Sequence, residues 1–203
     1  MSEIMSISRH RMGIDGPGVR TLVGFFDCPL RCKYCINNGC HSSSTPVADY
    51  TPEELVDLLA IDDPYFRMSG GGVTFGGGEP LMQADFIHEV CRRVDPHWSK
   101  AIETSLYADW SAIGLLADDI DLWFVDIKAA DPIHYRAYTG VENERVLQNL
   151  GRLLRTVGKE KVCVRYPVIP GYTTEQDRER GMDCLRKMFS PEIRFEEFEY
   201  LVL

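Results

Sequence analysis

Apolar strand-like runs and amphipathic helix-like runs alternate along this 203-residue chain, and no other feature limits its fold as strongly. TLVGFF, GVTFGG, KAIETSLY, DLWFVDIK, KVCVRYPVIPG and IRFEEFEYLVL read as strands. Between them TPEELVDLLA, DFIHEVCRRV, WSAIGLLADDI, ENERVLQNLGRLLRTVG and TEQDRERGMDCLRKMF carry apolar residues at helical spacing. Thr51 can cap the first helix, Pro52 suits its first turn and Glu54 completes a capping box. Such alternation means right-handed βαβ crossovers and an α/β fold with parallel strands, either doubly wound or curling toward a barrel. Six units are too few for an eightfold barrel. In both arrangements ligands bind at the carboxyl ends of the strands. The chemically marked segments fall there: a cysteine loop after the first strand, then GGEP, ETS, DIK and PVIPG after the next four.

The length favours one domain, residues 1–203, with a sizeable core. A hydrophobic share of 44% and a charged share of 26% are ordinary for a soluble globular protein. No apolar run approaches the roughly 18 residues of a membrane helix. The start, MSEIMSISRHRMG, lacks a secretory apolar core. A cytoplasmic protein with no membrane partner is therefore expected. A net charge of −9 makes nucleic acid a poor partner.

Three of the seven cysteines are crowded into CPLRCKYC, at 28, 32 and 35. In a cytosolic chain this crowding points to metal or redox chemistry, not to a disulfide framework. Cys91, Cys163 and Cys184 lie in apolar patterns and are expected to be buried. Thiolates suit zinc or iron–sulfur clusters. A structural zinc site takes four ligands, and Cys40 or His41 could complete one. That reading gives a zinc-stabilised, non-enzymatic α/β binding protein. A cluster held by three cysteines instead leaves one iron open to a ligand that is not protein. GGGEP, residues 76–80, is either a glycine turn or a place where backbone meets a ligand closely. Glu79, acceptor-only when ionised, suits an ammonium.

C-x3-C-x2-C with an aromatic residue before the third cysteine, together with GGGEP, resembles the radical S-adenosylmethionine (SAM) superfamily. The resemblance implies one 4Fe–4S cluster on Cys28, Cys32 and Cys35, with SAM chelating the fourth iron. It sets Tyr34 against the adenine, and Gly77, Gly78 and Glu79 beside the SAM methionine. RMGIDGPGVRTLV, SGGGVTFGGGEPLMQ, ETSLYAD, DIKAADPIHYRAYTG and VIPGYTTEQD further resemble the activating enzymes of glycyl radical enzymes. These matches run in order from residue 12 to about 177.

That branch implies an incomplete (β/α)6 barrel. It implies an enzyme that generates a 5′-deoxyadenosyl radical, which takes a hydrogen from a glycine of a partner glycyl radical enzyme. A flavodoxin or ferredoxin is the implied electron donor. Asp15 and Lys128 are the implied catalytic residues, Asp15 where the DGPG loop meets the substrate glycine. Glu103, Thr104, Asp126 and Lys128 are implied to surround the SAM carboxylate and ribose, where a monovalent cation can also be held with the aspartates as ligands. Arg165 contacts SAM and Val168 lines the adenine. On the residues alone, Asp15 is equally a turn aspartate, and Asp126 with Lys128 a structural ion pair. Nothing in the SAM motifs separates an activase from a radical SAM enzyme acting on a small molecule; DGPG, SGGGVTFGGGEP and YTG favour the activase.

Two departures stand out. Some members insert a ferredoxin-like unit with two further clusters, each needing four cysteines. Here residues 36–72 hold only Cys40, so one cluster is expected. Members also continue past the sixth strand to a histidine that reaches SAM, whereas no histidine follows His134. The C-terminus is expected to be either naturally minimal or truncated, with the apolar YLVL end paired or covered.

Overall fold

A computed structural model gives the fold and describes residues 1–196. Strands β1 (Ser2–Met12), β2 (Val19–Phe25) and β3 (Ala48–Tyr50) come first. Helices α1 (Pro52–Leu59) and α2 (Asp63–Ser69) lead into β4 (Gly72–Gly77). Then follow α3 (Ala84–Cys91), β5 (Ser99–Thr104), α4 (Trp110–Leu116) and β6 (Leu122–Asp126). Helices α5 (Pro132–Thr139) and α6 (Glu144–Val157) precede β7 (Val162–Arg165), and α7 (Glu175–Met188) precedes β8 (Arg194–Glu196).

The strands form one sheet in the order β3-β1-β2-β4-β5-β6-β7-β8. From β2 to β8 every neighbouring pair is parallel, which gives the six parallel strands read from the sequence. The antiparallel edge formed by β1 and β3 was not expected. Its sequence, SEIMSISRHRM, carries little apolar alternation, and register shifts interrupt its pairing with β2. Helices α2 and α5 are also additions. Both begin on Asp-Pro and end at a left-handed glycine, Gly70 or Gly140. The expected last strand is described only to Glu196, and its YLVL end lies outside the described residues. No helix among the described residues is long and apolar enough to cross a membrane.

Period-two alternation divides each parallel strand between two environments. Val23, Phe25, Val73, Phe75, Ile102, Trp123, Val125, Val162 and Val164 join the main core beneath the helices. The intervening residues face the other side of the curved sheet. Ala101, Phe124 and Cys163 form a small separate apolar cluster there. Arg20 lies on this inner face with no exposed surface. Its guanidinium donates to Thr74 Oγ1 (2.6 Å) and to the carbonyls of Val73 (2.6 Å), Ser99 (2.9 Å) and Pro17 (3.2 Å). One buried cation thus joins the early residues of β2 and β4 and the start of β5. Burial lowers its pKa to about 10, so it stays charged at neutral pH.

Asp62 fixes the antiparallel edge to the barrel. It is fully buried and accepts from Arg9 Nη2 (2.5 Å) and Thr21 Oγ1 (2.6 Å), and pairs with His10 Nε2 (3.0 Å). Burial works against its charge, but the Arg9 and Thr21 hydrogen bonds prevail and hold it below the usual carboxylate range. Asp62→Ala strands the Thr21 hydroxyl and is expected to cost about 2–4 kcal/mol in urea melts at pH 7. A depressed pKa stabilises above the unfolded value and loses that effect as pH falls through the folded value. The penalty should therefore shrink in acid; a pH-independent penalty would contradict this account.

Candidate active site

The cysteine loop leaves β2 through Asp27, whose φ is +70°. The Asp27 carboxylate accepts from the Cys28 N–H (2.7 Å), and the Asp27 N–H donates to the Cys40 carbonyl (3.0 Å), closing the loop at its base. Midway, the Arg31 and Lys33 N–H groups donate to the Thr139 (2.9 Å) and Tyr138 (3.2 Å) carbonyls. These two bonds bracket Cys32 and use orphan carbonyls at the end of α5. Farther on, Asn37 Nδ2 donates to the Gly77 carbonyl (2.8 Å) and ties the loop to the glycine run.

Cys28, Cys32 and Cys35 are half-buried, and Cys40 is buried beside them. Burial pushes the Cys28 thiol up to about 12, and Cys32 and Cys40 to about 11. At neutral pH these thiols hold their protons, so metal capture must release them. Among the described residues no three His, Cys, Asp or Glu side chains close on a single-ion site. His41 lies against Arg31 Nη1 (2.8 Å). Cys163 is buried as expected, but Cys91 is only partly so and Cys184 is exposed, because it faces a groove beside Tyr166 and not the core.

The glycine run meets the base of the loop. The Gly78 N–H donates to Phe25 O and the Glu79 N–H to Asp27 O, both at 2.9 Å. A Cβ on Gly77 (φ +92°) would lie 2.6 Å from the Gly24 Cα, and one on Gly78 would overlap the Asp27 carbonyl. Close strand packing therefore already requires both glycines. The Glu79 carboxylate is turned inward and only 1% exposed. Thr104 Oγ1 (2.5 Å) and Leu81 N (3.2 Å) donate to one oxygen; Ser105 Oγ (2.5 Å) and N (3.0 Å) donate to the other. Burial raises its pKa against these four donors.

Charged side chains line the inner face above the Phe124 floor. Arg165 donates to Glu103 (2.6 Å), Glu196 (2.5 Å) and the Ile14 carbonyl (2.6 Å), and lies 4.2 Å from the Phe124 ring centroid. Burial opposes its charge, but Glu103, Asp126 and Glu196 outweigh it and raise its pKa. Lys128 Nζ is 3.5 Å from Asp126, so the two face one side although β6 ends at Asp126. Asp15 is 2% exposed, and its carboxylate accepts from Arg11 Nε and from Arg11 Nη2 (3.0 Å). Its backbone carbonyl accepts from Thr74 Oγ1 (2.9 Å), which folds the DGPG loop over the inner face. Tyr34 packs against Tyr172 (5.9 Å between centroids) and Tyr138 (6.1 Å). Val168 lies half-buried on the stretch between β7 and Tyr172.

The sequence reading missed Ser105, Asn37, Arg11 and Glu196. Ser105 stood in the quoted ETS, and its place beside a buried carboxylate was the available signal. Ser105→Ala removes one of two donors to a Glu79 oxygen and should cost about 1–3 kcal/mol in denaturant unfolding. Thr104→Ser keeps its hydroxyl and should cost less than Thr104→Ala; equal costs would show that the hydroxyl is unimportant.

Residues 22–180 match the radical SAM superfamily. The 4-hydroxyphenylacetate decarboxylase activating enzyme of Clostridioides difficile is 31% identical over 239 aligned positions, covering 86% of this chain and 73% of that enzyme. This alignment is longer than the chain, so the relative carries insertions. The pyruvate formate-lyase-activating enzyme of Clostridium pasteurianum is 35% identical over 185 positions, covering 90% of this chain and 75% of its own length. The crystal structure of Streptococcus suis SuiB bound to precursor peptide SuiA shares the fold, with a TM-score of 0.68 at 14% identity, over 89% of this chain and 38% of that one. The chain belongs to the radical SAM superfamily, among the glycyl radical enzyme activating enzymes.

Proposed function

We propose that this chain activates a partner glycyl radical enzyme by removing a hydrogen from one glycine of that partner. The observation that carries the reading is the fastened three-cysteine loop, set against GGGE at the carboxyl ends of the parallel strands. The donor set fits the cofactors of the superfamily: three soft sulfurs on one loop, with charged groups beside them for a zwitterionic ligand. When bound and reduced, the 4Fe–4S cluster with SAM supplies the 5′-deoxyadenosyl radical.

The protein's own residues hold and shield that chemistry. Cys28, Cys32 and Cys35 are the cluster ligands. The backbone at Gly77 and Gly78 meets the SAM methionine, while Glu79 braces that backbone against β5 through Thr104 and Ser105. Lys128, beside Asp126, offers its ammonium to the SAM carboxylate, with Glu103 and Arg165 forming the adjoining polar wall. Asp126 would ligate a monovalent cation. Tyr34 and Val168 flank the adenine. The Phe124 floor and the DGPG loop exclude water from the inner face, which a primary carbon radical requires. Asp15 presents the loop to the partner's glycine segment. The partner is a protein, and the electron donor is a flavodoxin or ferredoxin in a cytoplasmic setting.

The test is anaerobic reconstitution with iron and sulfide, reduction, addition of SAM and measurement of 5′-deoxyadenosine beside Cys32→Ala. Wild-type release with loss of about 100-fold or more in the variant is expected, since Cys32 is one of the three proposed cluster ligands. Pyruvate formate-lyase and 4-hydroxyphenylacetate decarboxylase then serve as candidate partners, read by the electron paramagnetic resonance doublet of a glycyl radical. Cysteine-independent release, or colourless protein that takes up zinc instead of iron, would overturn the proposal.

A further inference from the structure

Among the described residues three phenol rings from three separate elements meet beside the cysteine loop. Tyr34 belongs to the loop itself, Tyr138 to the last turn of α5 and Tyr172 to the stretch between β7 and α7. The Tyr34 and Tyr172 ring centroids lie 5.9 Å apart at 77°, and those of Tyr138 and Tyr172 lie 5.2 Å apart at 72°. Tyr34 and Tyr138 complete the triangle at 6.1 Å and 57°. The ring quadrupole favours edge-to-face contact of this kind, and such contact fixes the tilt of each ring. The backbone sets Tyr172 in place. Gly171 turns at φ +77°, and the Tyr172 and Thr173 N–H groups donate to the Ile169 carbonyl (3.0 and 2.9 Å). Thr173 Oγ1 accepts from the Ile169 N–H (2.8 Å). Tyr138 is 1% exposed, whereas Tyr34 and Tyr172 are half-buried. The cluster of rings therefore has a buried base and two members that reach solvent.

We infer that Tyr172 is a positioning residue for the adenine of SAM: it holds the Tyr34 ring on edge and so fixes the ring face that the adenine meets. This rests on the reading that Tyr34 flanks the adenine. A half-exposed tyrosine on a loop has rotamer freedom to lose when a flat ligand packs on it, and that loss weakens binding. Here Tyr138 and Tyr172 remove the freedom before any ligand arrives. The end of α5 also fixes the Tyr34 backbone, since the neighbouring Lys33 N–H donates to the Tyr138 carbonyl (3.2 Å). The contact with Tyr34 is made by the Tyr172 ring, so Tyr172→Phe preserves it and Tyr172→Leu removes it. The methionine half of SAM is assigned to other groups, the glycine run and Lys128. Tyr172 therefore acts on the nucleoside end alone.

The test uses the full chain loaded with its cluster, kept oxidised so that SAM binds without turnover. Iron and sulfide counts come first. Equilibrium dialysis then gives SAM affinity for the wild type, Tyr172→Phe and Tyr172→Leu, with 5′-deoxyadenosine and methionine as separate competitors. Tyr172→Leu should weaken SAM and 5′-deoxyadenosine about two- to tenfold and leave methionine unchanged. Tyr172→Phe should bind all three as the wild type does. In a Tyr34→Leu background, Tyr172→Leu should add no further loss, because its effect runs through Tyr34. Wild-type affinity in Tyr172→Leu would overturn the inference, as would an equal loss in Tyr172→Phe or additive losses in the double variant. Equal weakening of methionine, or a Tyr172→Leu chain that cannot hold its cluster, would mark a packing role and also overturn it. SAM affinity that ignores Tyr34→Leu would instead overturn the placement of Tyr34 at the adenine. A wild-type chain that holds no cluster would overturn the functional reading itself, which the iron count reveals separately.

Discussion

The Arg165 guanidinium is the constraint on which the inner face depends. From β7 it reaches Glu103 on β5, Glu196 on β8 and the Ile14 carbonyl in the β1–β2 loop, above the Phe124 ring of β6. A buried cation tolerates this position only while its carboxylates surround it, so the four elements cannot part independently. The strand ends that carry Glu103, Asp126 and Lys128 are thereby held in one layer. Arg20 does the same near the opposite ends of β2 and β4, using neutral acceptors alone. An apolar patch of Ala101, Phe124 and Cys163 completes the inner face. Without such ties an open, curved sheet could flatten and lose its concave side.

The second tie is between loop and glycine run. Asn37 and the Gly78 and Glu79 N–H groups stitch residues 25–37 to residues 77–79. This explains why the glycines and Glu79 belong together. The glycines let two backbones touch, and the glutamate anchors the far side of the same turn to β5. A motif that reads as a ligand contact is thus also a joint between three strand ends.

Much of this was legible in the sequence because period-two and period-3.6 patterns are strong where both faces of a strand are buried. β2 and β4 to β7 follow from such runs, and the crossover rule makes them parallel. β1 was illegible because an edge ribbon rich in serine, arginine and histidine has little to alternate. α2 and α5 were passed over although Asp-Pro at the start and glycine at the end marked both. The three cysteines, GGGE and D-x-K were visible as chemistry. What Glu79 does with its carboxylate was not, since its partners Thr104 and Ser105 lie 25 and 26 residues away. Cys184 read as core because its neighbours are apolar, yet its position on α7 turns it to the surface.

The loop that carries the cysteines is fastened at its base by Asp27, at its middle by the end of α5 and near its close by Asn37. Its order therefore comes from protein hydrogen bonds formed when the chain folds. A small zinc finger, by contrast, gains its shape only with its metal. Oxygen that destroys an exposed iron–sulfur centre would here leave a folded socket, not an unfolding chain. The three ligand thiols would stay on the same fastened loop, ready to take iron and sulfide again. Loss of the cluster then becomes a matter of reloading and not of refolding.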